Sequence, residues 1–181
     1  MSNEIKLTAM PTPNPNTIKF LVDTYFFEKG SLDFPTKERA KDSLLAQELF
    51  GIEGMAGVMI GTNFISITKD DDAGWDKVLE VASNKIKSLL SNKESKLFDD
   101  KLLDELDKKN ENEPDSVKRI KEILDSEIRP AIGMDGGDCE FISYEDGILT
   151  LRLQGACSNC PSSVMTLKMG IENRLREDIE D

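Results

Sequence analysis

Cys157 and Cys160, in the run Gly155-Ala156-Cys157-Ser158-Asn159-Cys160-Pro161-Ser162-Ser163, are two of only three cysteines in a chain that has no histidine. A Cys-x-x-Cys pair serves as a redox dithiol, as half of a zinc site or as half of an iron-sulfur site, and each use needs different neighbours. Neither zinc nor a cluster is normally completed by two thiolates, and the remaining thiol, Cys139, has no second cysteine beside it. The simplest completion is a second copy of the same chain, which gives four thiolates around one metal centre at a two-fold axis. Position supplies the thiolate. Pro161 suits a first helical turn, and Val164, Leu167, Ile171 and Leu175 follow it at helical spacing, so a helix is predicted from Cys160 or Pro161. Both sulfurs then stand at a helix N-terminus, where the macrodipole and unpaired N–H groups favour the anion that binds metal. The residues between them are small and polar, so one side of the turn is expected to be exposed. The plain alternative is that the cysteines pack beneath the helix as small turn residues.

Two small α+β units joined by a charged linker are expected to carry this turn, over residues 1–90, 91–113 and 114–181, because 181 residues suit two domains better than one. In the first, a Pro-rich entry (Met10 to Asn16) leads to a strand at Thr17–Val22, and Thr36 to Phe50 reads as one helix. Gly57–Ile60 and Phe64–Lys69 alternate as a hairpin, and Asp70-Asp71-Asp72 is expected to cap a helix whose stripe runs from Trp75 to Leu90. Trp75 reads as a core anchor. The linker is rich in Lys, Asp, Glu and Asn, yet holds Leu97, Phe98, Leu102, Leu103 and Leu106 at near-helical spacing. That stripe either packs on a flanking domain or docks a client.

In the second unit, Val117, Ile120, Ile123, Leu124 and Ile128 mark a helix that Pro130 ends or kinks. Gly136-Gly137 permits a tight turn into a hairpin, Asp138–Tyr144 and Ile148–Gln154, which feeds the cysteine turn. Strand parity puts Cys139 and Phe141 on one face, so Cys139 reads as a core residue. The glycine pair lacks the Lys-Ser/Thr partner that phosphate binding would require.

The net charge of −12 and a pI near 4.6 leave no basic stripe to displace phosphate counterions, which argues against nucleic acid as a partner. No apolar run approaches the roughly 18 residues of a membrane span, and the first residues lack a signal or transit pattern, so no membrane partner is expected. An odd cysteine count fits a reducing compartment. The expected location is the bacterial cytoplasm or, for a processed form, the mitochondrial matrix.

The run Asp135-Gly136-Gly137-Asp138, the hairpin, the cysteine turn and the following Thr166-Leu167-Lys168 and Gly170-Ile171-Glu172 resemble the NifU C-terminal (Nfu) domain of iron-sulfur assembly proteins. Thr12-Pro13-Asn14-Pro15-Asn16-Thr17-Ile18-Lys19-Phe20 and Phe64-Ile65-Ser66-Ile67-Thr68-Lys69 resemble the Nfu N-terminal domain. The resemblance implies a scaffold or carrier, not an enzyme. It would hold an iron-sulfur cluster, usually [4Fe-4S] in this family, on Cys157 and Cys160 of two subunits of a homodimer. Upstream assembly proteins and apo iron-sulfur clients are the implied partners, with the first domain aiding client recognition. Two rivals stay open. A thioredoxin-type enzyme would use Cys157 to attack and Cys160 to resolve, but expects its pair after the first strand of a βαβ unit. A structural zinc dimer would use the same four thiolates.

Overall fold

The computed structural model describes residues 4–28, 30–107, 113–158 and 161–179. Both helices and sheets are present, in an α+β arrangement with two separate hydrophobic clusters.

The first cluster lies under a five-stranded antiparallel sheet. Its strands are β1 (Leu7–Pro11), β2 (Thr17–Val22), β3 (Leu32–Phe34), β4 (Met55–Ile60) and β5 (Phe64–Lys69), in the order β1-β2-β5-β4-β3. Alternation sends Phe20, Val22, Ile65, Ile67, Val58 and Ile60 to one face, where α1 (Leu44–Phe50) and α2 (Trp75–Ser91) cover them. Two of these strands were not expected. β1 is an edge strand that ends on Pro11, where a missing N–H costs no ladder bond, and β3 is only three residues long.

The helix expected over Thr36 to Phe50 is divided. A 3-10 segment, Lys37–Asp42, stops at Ser43, whose hydroxyl accepts the Ala46 N–H at 3.1 Å and so starts α1 anew. Ser43 is fully buried because it also bridges to Phe98 and donates to the Leu97 carbonyl at 3.3 Å. Asp70 to Asp72 do not cap α2. Gly74 holds that position without a side-chain bond, and Asp71 instead accepts from the Asn16 amide. Trp75 is half-buried against the core and donates from Nε1 to the Pro15 carbonyl at 3.0 Å, which anchors the Pro-rich loop.

Residues 97–106 are no free spacer. Phe98 is buried with its ring 6.0 Å from Phe26 and 5.8 Å from Phe27, and α3 (Asp100–Asp107) lays Leu102, Leu103 and Leu106 on the same core.

The second cluster is enclosed by α4 (Asp115–Ile123), α5 (Arg129–Met134), the hairpin β6 (Gly137–Glu145) and β7 (Ile148–Gly155), and α6 (Pro161–Asp178). Pro130 does not end the helical path. A π-helical segment, Leu124–Ile128, absorbs the residue whose hydrogen bond proline disrupts and passes the chain into α5 with Pro130 in its first turn. A bulge between Phe141 and Ser143 shifts parity by one, so that Tyr144 joins Phe141, Leu149, Leu151 and Leu153 on the inner face.

Candidate metal centre

The cysteine turn is built from the two ends of the hairpin. Gly137 pairs with Gly155 where β6 begins and β7 ends, so the chain leaves β7 directly beneath the Gly136-Gly137 turn. The Ala156 N–H donates to the Gly136 carbonyl at 3.2 Å. The Gly155 carbonyl accepts both the Ser158 N–H, at 3.2 Å, and the Ser158 hydroxyl, at 2.8 Å, which closes the turn around Cys157. Gly136 and Gly155 both have positive φ, 79° and 64°, a region a side chain would strain.

Cys157 is only 3% exposed, at the edge of the second core, where an open turn was expected. Ser158, the next residue, is exposed. Cys160 lies outside the described residues, as does Asn159. α6 begins at Pro161, in agreement with the helix predicted from the apolar spacing. Among the described residues no three His, Cys, Asp or Glu side chains stand together as an ion site.

Cys139 is 2% exposed and pairs across the hairpin with Leu153. Burial, with the Asp138 carboxylate adding to it, pushes its thiol up to about 12, so it is neutral near pH 7 and packs as a small apolar side chain.

A half-buried ion pair, which no motif in the sequence signals, braces the strand that carries Cys139. Arg129 grips Asp138 with two bonds, 2.8 Å to Oδ1 and 2.6 Å to Oδ2, and the Cys139 N–H donates to Oδ1 at 2.8 Å. The Asp138 hydrogen bonds hold the guanidinium firmly protonated, and Ser31 of the first unit donates to the same carboxylate.

The first unit reaches the turn as well. Asn14 Nδ2 donates to the Ala156 carbonyl at 3.1 Å, and Ser66 Oγ donates to the Gly136 carbonyl at 2.6 Å. Both residues lie in runs that carry the family resemblance, but neither carries a signal of its own, because an asparagine in a Pro-rich loop and a serine on an alternating strand read as ordinary turn and surface positions.

Sequence models of two families match the chain. Residues 7–93 match the scaffold protein Nfu/NifU N-terminal family and residues 120–181 the NifU-like domain, in that order. The chain belongs to the Nfu family. Its Nfu relatives include "NifU-like protein 4, mitochondrial" of Arabidopsis thaliana, 38% identical over 97% of this chain and 63% of that one. The "NFU1 iron-sulfur cluster scaffold homolog, mitochondrial" of Drosophila persimilis is 40% identical over 94% of this chain and 60% of that one. The chain thus spans about 60–65% of the length of the curated Nfu relatives it matches. A solved structure of a NifU-like protein from Saccharomyces cerevisiae aligns with a TM-score of 0.44 and 25% identity over 51% of this chain and 84% of that one. Among the described residues, no helix is long and apolar enough to cross a membrane.

Proposed function

We propose that this Nfu-family chain is an iron-sulfur cluster carrier that holds a [4Fe-4S] cluster between the Cys157 and Cys160 pairs of two subunits and passes it to apo-proteins. The observation that carries the reading is the Cys-x-x-Cys motif directly ahead of α6, inside the segment that matches the NifU-like domain. Two motif thiols per chain, a third thiol buried on β6 and no histidine favour a second subunit as the source of the other ligands.

The chemistry is that of a carrier rather than an enzyme. A cluster held by two residues from each chain at a subunit boundary is open to an incoming client thiolate, which takes an iron as a protein cysteine leaves as its own thiolate. No electron changes hands in that exchange. Upstream assembly proteins supply the cluster, apo iron-sulfur proteins receive it, and the compartment is the mitochondrial matrix or a bacterial cytoplasm.

Anaerobic reconstitution with ferrous iron and sulfide tests the reading. The expected product is brown, absorbs in the violet, contains about one cluster per two chains and is a dimer by light scattering. A complete cluster on a chain that stays monomeric would overturn the shared site, and tight zinc without iron uptake would make the centre structural.

A further inference from the structure

The sheet of the first unit has a second face, turned away from α1 and α2. Across it runs a row of four side chains in register: Lys19 on β2 pairs with Ser66 on β5, Ser66 with Met59 on β4, and Met59 with Asp33 on β3. Every member of the row meets the second unit. Lys19 Nζ donates to the Gly133 carbonyl at 2.7 Å, and Ser66 Oγ to that of Gly136 at 2.6 Å. The Met59 sulfur stands 2.9 Å from where a Gly155 side chain would begin, and the Gly155 backbone N–H acts on the Asp33 carboxylate, favouring its charged form. Asn14 adds its bond to the Ala156 carbonyl from the adjoining loop.

The chemistry of the other surface matches. Gly133, Gly136, Gly155 and Ala156 present backbone with almost no side chain, so polar groups of the sheet reach carbonyls directly. A Cβ on Gly136 would stand 2.9 Å from Thr12 Cγ2 and 3.1 Å from Ser66 Oγ, so any larger residue would hold the two units apart. The bonds are also dry. Ser66 is 1%, Asn14 5% and Ala156 2% exposed, and a donor left unpaired there would pay its full desolvation cost. This strip leads straight into Cys157.

We propose that the open face of the first sheet is a clasp for the glycine strip of the unloaded chain, sealing the cysteine turn until a second subunit and a cluster displace it. The clasp itself needs only the contacts above; its release on loading rests on the shared-site reading. Thiolates that bridge to another subunit must face that subunit. Cys157, with the Ala156 carbonyl before it gripped by Asn14 and its sulfur turned inward against Gly137 of its own unit, does not. Loading and clasping are therefore alternative states of one turn, and loading frees the row of the first sheet for another protein.

The test uses the full chain without metal. Alkylation by iodoacetamide, read per cysteine by mass spectrometry, is compared between the wild type and the Asn14→Ala/Ser66→Ala double variant, with small-angle X-ray scattering on each. The variant should alkylate Cys157, which lies beyond the end of β7 at the edge of the second core, at least about tenfold faster and scatter as a more extended particle, while Cys139 stays slow in both because the β6–β7 pairing that holds it against Leu153 is untouched. Lys19→Ala, a change at a half-buried position outside both cores, should shift both readouts in the same direction, and it decides the matter if Cys139 reactivity shows the double variant to be unfolded. A wild-type chain that already scatters as two separated units, or Cys157 reactivity that neither change raises, would overturn the clasp. Loading with iron and sulfide should give the extended profile. A loaded dimer that stays compact would overturn release, whereas failure to load at all would count against the shared site and leave the clasp to the metal-free measurements.

Discussion

The Cys157 sulfur occupies the space that a side chain on Gly137 would need: a Cβ built there stands 2.5 Å from Sγ and 3.0 Å from both Cys157 Cβ and the Gln154 carbonyl. Gly137 has an ordinary backbone conformation, so its requirement for glycine is one of packing, unlike that of Gly136. Gly137→Ala is therefore expected to push Cys157 outward and to destabilise the second unit by about 1–3 kcal/mol. Urea unfolding followed by circular dichroism measures the loss, and cluster uptake at saturating iron should fall with it. An unchanged midpoint would mean that the sulfur relaxes freely.

The three cysteines should separate cleanly. Cys157→Ala and Cys160→Ala are each expected to abolish cluster binding, whereas Cys139→Val should bind normally and change stability by about 1 kcal/mol or less. Cys139 is enclosed and neutral near pH 7, so it has no thiolate to offer. Iron content and the violet absorbance after reconstitution decide between them, and lost iron in Cys139→Val would reverse the assignment.

Asp33 makes the packing of the first sheet on the second unit sensitive to acid in an unusual direction. Burial raises its carboxyl to about 6, against the opposing pull of Arg39 and Arg152 and with Glu140 adding to the rise. A group whose native value lies above its unfolded value of about 4 binds its proton more tightly when folded. Its contribution to stability therefore falls as the pH rises from about 4 to about 6 and is level above that. Asp33→Asn should remove this fall and be more stable than the wild type at pH 7, because the neutral amide carries no charge to desolvate. Thermal midpoints of the two proteins across pH 4–7 give the difference directly, and parallel curves would place Asp33 in water.

The pattern of apolar residues was legible wherever one face of an element is buried. The β2, β4 and β5 strands, α2, α4 and the hairpin leading to Cys157 follow from period alone. What escaped was set by contacts distant in sequence. Ser43 divides a helix because Leu97 and Phe98 approach from more than fifty residues away. The bulge near Ile142 is dictated by the need to seat Tyr144 beside Leu149. The row Lys19, Ser66, Met59 and Asp33 alternates with core residues as any solvent face would, and its meaning lies in the glycines that it meets. The chemistry of the candidate centre was readable for the opposite reason, because Cys-x-x-Cys is a local spacing, while the burial of Cys157 is not.

Phe98 tests how firmly the stretch before α4 is tied to the first unit. Its ring meets Phe26 edge-on and packs beside Phe27, and it is 8% exposed. Phe98→Ala is expected to cost about 3 kcal/mol in the first unit and to leave the second unit's transition in place. Differential scanning calorimetry resolves the two. A shift below about 0.5 kcal/mol would return residues 97–106 to the status of a spacer.

The last expectation concerns what the units do apart. The second unit has its own core, built on Ile120, Ile123, Leu124, Ile132, Ile171 and Leu175, so residues 114–181 should fold without the first. Freed from Asn14 and Ser66, its turn no longer has to leave a partner before it binds, and the fragment is expected to take up iron and sulfide faster than the full chain. Transfer should behave differently. If the first sheet, once released, holds a client while the second unit presents the cluster, tethering raises the local concentration of donor around that client, and the fragment should deliver about tenfold more slowly or worse to the clients that the sheet recognises. The measurement is the rate of cluster appearance in several apo-proteins, from fragment and full chain at equal loading. Equal rates to every client would remove the first unit from delivery, and equal uptake by fragment and full chain would mean that Asn14 and Ser66 do not restrain the turn.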